Sequence, residues 1–189
     1  MFEGKALRTS EVFRQAYAEA RVFGKVLAKR GKGSGFMKNL MEQRICSSIH
    51  AGLATARRLL QGDIEHGEDE EHEGEIMVET GEERDVLLRL IDQLERVKAD
   101  PKMEAIIYFL DKEKWLHLGV IIFSQYYDTA KWLADALAAR YPEEAVGLYA
   151  GAGRSRLYHK AGSVNVERET LKRMVAEHQI RVMIATDAA

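Results

Sequence analysis

The sequence predicts a mixed α/β protein in which a helical first half leads into three parallel strands joined by crossover helices. Three observations carry this. Apolar β-branched runs near residues 120 and 182 each end in small polar residues, the pattern of buried parallel strands. Helical stretches alternate with the strands through short links, which implies right-handed crossovers. The first half shows apolar residues at helical spacing, and the whole chain has only two prolines.

Composition narrows the class. The chain has 189 residues, 46% hydrophobic and 31% charged, as expected of a globular protein. No run approaches the ~18 apolar residues of a membrane span. The start, MFEGKALRTSEVF, lacks the apolar core of a signal peptide. Cys46 is the sole cysteine, which rules out an internal disulfide and fits a reducing cytoplasm. The net charge of −2 conceals an asymmetry: residues 1–60 carry about +8, residues 61–85 about −11 and the remainder about +1.

Ser10 can cap a helix reaching Arg30, with Phe13, Ala16, Tyr17, Ala20, Phe23 and Leu27 on one face. Gly31-Lys-Gly-Ser-Gly35 breaks it. A second helix is expected from Phe36 to Leu60, striped by Met37, Met41, Ile45, Ile49, Leu53, Ala56 and Leu60. These form a basic helical region over residues 1–60. Residues 61–79 have no apolar period and heavy like charge, so they read as a disordered acidic linker. A helical lead-in over 80–118 begins with the capping box Thr80-Gly-Glu-Glu83. Asp100 and Pro101 then cap and start a further helix, whose buried side is Met103, Ile106, Ile107 and Leu110.

From residue 119 the period changes. Val120-Ile-Ile-Phe123 reads as a fully buried strand, Asp128 to Arg140 as a helix, and Val146-Gly-Leu-Tyr149 as a second strand. Gly151 to Gly162 reads as a glycine-rich basic loop. Asn165 can cap a helix over Glu167 to His178, and Ile180 to Ala185 forms the third strand. Ligands of such sheets sit beyond the carboxyl ends of the strands, here Ser124-Gln125, Ala150-Gly151 and Thr186-Asp187.

These residues resemble a known family. Ile121-Ile-Phe-Ser-Gln-Tyr126 is similar to the motif IV strand of superfamily-two helicases and the related Swi/Snf-type DNA translocases. Arg181-Val-Met-Ile-Ala-Thr-Asp-Ala-Ala189 resembles the first half of their motif V. Gly147-Leu-Tyr-Ala-Gly151 and Glu167-Arg-Glu-Thr-Leu-Lys-Arg-Met-Val-Ala176 match the strand, glycine turn and helix between them. Asp100-Pro-Lys-Met-Glu104 resembles the helix that precedes motif IV. The resemblance covers residues 100–189, and it implies that residues 119–189 are part of a second, carboxyl-terminal RecA-like domain. It further implies a parent that hydrolyses ATP with Mg2+ in a cleft between two such domains while gripping DNA or RNA.

The departures are as informative. No G-x-x-x-x-G-K-[ST] phosphate loop occurs, and Gly31-Lys-Gly-Ser-Gly35 has the wrong spacing and follows a helix. Motif VI, with its arginine finger, would lie beyond Ala189. The chain is therefore expected to be a fragment cut within motif V, inactive as an ATPase alone, with no ATP or Mg2+ bound and with the first RecA-like domain as a missing partner. Uncovered sheet edges would favour self-association.

Each singled-out residue has two readings. By resemblance, Thr186 hydrogen-bonds a nucleic-acid phosphate; otherwise it caps a turn. Asp187 either couples the nucleotide cleft to the nucleic-acid groove or closes a turn. Ser124 and Gln125 either lie on the nucleic-acid path or cap the next helix, as Asp128 can. Gly151 permits close backbone approach, and Arg154 and Arg156 either clamp phosphates or simply face solvent. Arg156 occupies the place of a third fingerprint glycine, which excludes a dinucleotide-binding motif. His66 and His72 have no metal-ligand spacing. Trp115, Trp132, Tyr126 and Tyr127 read as packing residues. Two functions of different class remain: a nucleic-acid translocase fragment, or a non-enzymatic helical and α/β adaptor for protein or nucleic acid.

Overall fold

The computed structural model describes residues 8–29, 34–62, 78–151 and 153–186, with side chains in the second helix described from residue 39 onward. The chain divides into two compact units, residues 1–105 and 106–189.

The first unit is helical. Helix α1 (Glu11–Ala28) starts where Ser10 Oγ accepts a hydrogen bond from the Phe13 amide at 3.1 Å. The expected single helix over 36–60 is two helices, α2 (Ser34–Ser47) and α3 (Ile49–Gln61). Ser48 breaks the run: its backbone is extended, and its Oγ accepts from the Ala51 amide at 3.0 Å, capping α3. Gly62 ends α3 in the left-handed conformation, φ +69°. Helix α4 (Gly81–Glu95) carries the expected capping box, with Glu83 Oε2 accepting from the Thr80 amide and Thr80 Oγ1 from the Glu83 amide, both at 3.2 Å. Ala16, Ala20, Phe23, Leu27, Met41, Ile45, Ala56, Leu87, Leu90 and Leu94 form the core of this unit. Asp100 caps the first turn of α5 (Pro101–Asp111), accepting from Lys102 and Met103, and its other oxygen accepts from the Ile49 amide at 2.9 Å. Only Leu110 of the expected apolar side of α5 is fully buried. The acidic residues 63–77, His66 and His72 among them, lie outside the described residues, as does the side chain of Met37.

The second unit continues through α6 (Trp115–Leu118), β1 (Val120–Ser124), α7 (Tyr127–Arg140), β2 (Val146–Tyr149), β3 (Arg156–His159), β4 (Gly162–Asn165), α8 (Arg168–Ala176) and β5 (Val182–Thr186). The sheet has five strands rather than three, in the order β1-β5-β2-β3-β4. β1, β5 and β2 are parallel, as expected, while β2-β3-β4 is an antiparallel meander. The stretch read as a basic loop thus contains a hairpin, which turns at Gly162, φ +127°. Asn165 closes β4 instead of capping a helix, and Glu167 is the N-cap of α8 without a side-chain bond.

Side chains alternate across the sheet. Val146, Leu148, Val182 and Ile184 are fully buried on the face that α7 covers with Leu133, Ala134 and Leu137. On the other face α8 packs against β2, where Leu171 and Ile180 meet Met183 and leave no side-chain room at Gly147. β1 is not the fully buried strand expected. It lies at the sheet edge, and Ile121 and Phe123, in register with Met183 and Ala185, remain 51% and 72% exposed because α8 sits over β2.

Candidate nucleic-acid interface

The parallel strands bring their carboxyl ends side by side. Ser124 of β1 is the register partner of Thr186 of β5, and Tyr149 of β2 is that of Ala185. Both hydroxyl residues are buried, Ser124 at 9% and Thr186 at 3% exposure. Ser124 Oγ donates to the Tyr126 carbonyl at 3.1 Å, so its proton holds the β1–α7 turn. The N-cap of α7 is Tyr126, with no side-chain cap bond, so neither Ser124 nor Asp128 caps the helix. Gln125 is exposed beside this turn.

The β2–β3 loop completes the edge. Gly151 is buried, and its carbonyl accepts from the Arg154 amide at 3.1 Å. The glycine the turn requires is Gly153, at φ +70°, a backbone conformation that other residues adopt only with strain. Buried Ser155 fastens the loop to the sheet by bonding both the amide and the carbonyl of Ala150. Arg154 lays its guanidinium over the Tyr127 ring, 4.2 Å from the centroid. Arg156 is engaged elsewhere, its Nε donating to Asn165 Oδ1 at 3.0 Å across the hairpin. Asp187 lies outside the described residues.

The antiparallel hairpin returns β4 to the same edge, so α8 also begins there. Gly153, Ser155, Asn165, Val166, Glu167 and Arg168 line an open depression of about 380 Å³. Arg168 and Lys172 flank the Tyr149 ring at 5.7 and 5.8 Å. The Glu169 carboxylate, and secondarily Tyr149, hold the Lys172 ammonium above its usual range. Two helix N-termini and the cations Arg154 and Arg168 therefore share one edge, against the carboxylates of Asp128, Glu167 and Glu169. Such an edge suits a phosphate chain held by backbone amides and guanidinium groups. Among the described residues no three His, Cys, Asp or Glu side chains are grouped to hold a metal.

The sequence singled out Ser124, Gln125, Gly151, Arg154 and Thr186, and these do gather along one edge. It missed Tyr127, Ser155 and Arg168. For Ser155 the local signal is a small hydroxyl residue directly after a Gly-x-Gly turn. For Tyr127 and Arg168 it is their place at the start of a helix that follows a strand.

Comparison with family models, curated proteins and solved structures finds no match to this chain. No described helix is long and apolar enough to cross a membrane.

Proposed function

We propose that this chain grips the sugar-phosphate backbone of DNA or RNA at the carboxyl edge of its sheet, as part of the second RecA-like domain of an ATP-dependent helicase or translocase. The observation that carries the reading is the adjacency of Ser124 and Thr186 on paired parallel strands, with Gly151 and Arg154 following the next strand. Strand ends, helix N-termini and a guanidinium read no base, and a motor that steps along any sequence requires such contacts.

The roles divide by chemistry. A phosphate is an acceptor, so it needs donors. Arg154, the Gln125 amide and the Thr186 hydroxyl supply them, while Ser124, its proton given to Tyr126, shapes the turn. By the resemblance, ATP and Mg2+ would sit between this domain and a first RecA-like domain that carries the phosphate loop, with Asp187 near that cleft. This chain alone would not hydrolyse ATP.

A second reading has one observation in its favour. Leu118, Ile121 and Phe123 are exposed on and beside an edge strand, which suits a protein contact and hence an adaptor without ATP.

Fluorescence anisotropy with single- and double-stranded DNA and RNA across a salt series separates the two. Salt-sensitive binding, weakened about ten- to a hundredfold by Arg154→Ala and less by Thr186→Val, is the expected result. Absence of binding to all four would favour the adaptor.

A further inference from the structure

We infer that Tyr127 is a positioning residue for the backbone-binding edge, holding the Arg154 side chain ready for a phosphate. The inference rests on the nucleic-acid reading above and adds to it a residue that contacts no nucleic acid through a polar group of its own.

The geometry has two halves. The main chain of the β2–β3 loop is fixed by the double bond of Ser155 to Ala150, at 3.0 and 2.8 Å, and by the Arg154 amide on Gly151. Those bonds leave the long side chain of Arg154 to be ordered separately. The Tyr127 ring does this from the first turn of α7, with the guanidinium carbon 4.2 Å from its centroid, well within the ~6 Å range of cation–π attraction. A guanidinium can stack on a ring by its face and still present N–H groups at its rim to an oxyanion. The stack therefore orders the cation without consuming its capacity to bind a phosphate. An arginine side chain held in advance loses less conformational freedom on binding than a free one.

Tyr127 does this through its ring, so the hydroxyl is dispensable. Tyr127→Phe should bind a fluorescein-labelled oligothymidylate like the wild type. Tyr127→Leu, which keeps bulk and loses the π face, should weaken binding about fivefold. It should also lower the slope of log affinity against log salt toward that of Arg154→Ala, by up to ~0.7, the share of one single-strand phosphate. The double variant Tyr127→Leu/Arg154→Ala should bind no worse than Arg154→Ala, because both changes remove one contact. Circular dichroism and urea midpoints check that each variant is folded.

Wild-type affinity and salt slope in Tyr127→Leu would overturn the positioning role and leave the nucleic-acid reading standing. So would additive losses in the double variant, or a loss in Tyr127→Phe equal to that in Tyr127→Leu. No binding by the wild-type chain would overturn the nucleic-acid reading and this role with it.

Discussion

Ser155 closes a two-way bond on Ala150: its Oγ accepts from the amide at 3.0 Å and donates to the carbonyl at 2.8 Å, all inside the sheet edge. One hydroxyl thus satisfies both polar groups of a buried peptide residue. Ser155→Ala would leave two buried groups unpaired and should destabilise the sheet unit by about 1–3 kcal/mol, read from urea unfolding. Ser155→Thr keeps the hydroxyl and should retain more stability than Ala. Equal stability of wild type and Ser155→Ala would show that water replaces both bonds.

Gly52 marks the closest approach in the helical unit. A Cβ there would lie 2.6 Å from Ile45 Cγ1 and 3.3 Å from Ile45 Cα, and Ile45 is itself buried. In an open helix alanine would gain about 1 kcal/mol over glycine. Here the overlap costs about 1–3 kcal/mol, because the backbone of α2 must move as well as the side chain. Gly52→Ala should therefore lower the thermal midpoint, whereas Gly81→Ala, with nothing near its Cβ, should not.

Tyr158 should set the alkaline limit of the sheet unit. Burial, and then the negative charge of Asp135, push its phenol from an ordinary value of 10.0 up to about 12. The folded state thus holds this proton more tightly than the unfolded state. Its contribution is complete below about pH 10 and is lost as pH rises from there through about 12. Stability measured across that window should fall in the wild type and fall less in Tyr158→Phe. Identical slopes would mean that the phenol ionises without penalty.

The apolar side of β1 should make the chain associate with itself. Ile121 and Phe123 project from an edge strand that has no charged residue to deter pairing. Sedimentation at micromolar concentration should show dimers or larger species, and Phe123→Lys should shift the population toward monomer. A monodisperse wild-type monomer would count against this.

What the sequence disclosed was mostly local. Thr80 and Glu83, three residues apart, specify their own capping box, and Asp100-Pro101 specify the start of α5. The strands at 120, 146 and 182 were legible as short apolar runs. The break at Ser48 was hidden because the apolar stripe steps from Ile45 to Ile49 in register across it. The hairpin was hidden because Arg156-Leu-Tyr-His159 has one buried residue among half-exposed ones, and its basic, glycine-flanked setting looks like a loop. The exposure of Phe123 depends on where α8 comes to lie, and the adjacency of Ser124 to Thr186 depends on strand order. Both are long-range facts that no local pattern encodes.

That strand order carries a kinetic consequence. β1 and β2 share no hydrogen bonds, because β5, the last strand in the sequence, lies between them. During synthesis, residues 1–105 emerge with their helical core in hand, while the sheet waits for Val182–Thr186. Joining Val120 to Val182 requires closing a long loop before any pairing rewards it, so the sheet unit should form late and slowly relative to the helices. Until then β1 and β2 each present a bare edge, and a nascent chain held at that stage would be a substrate for chaperones rather than a gripping surface.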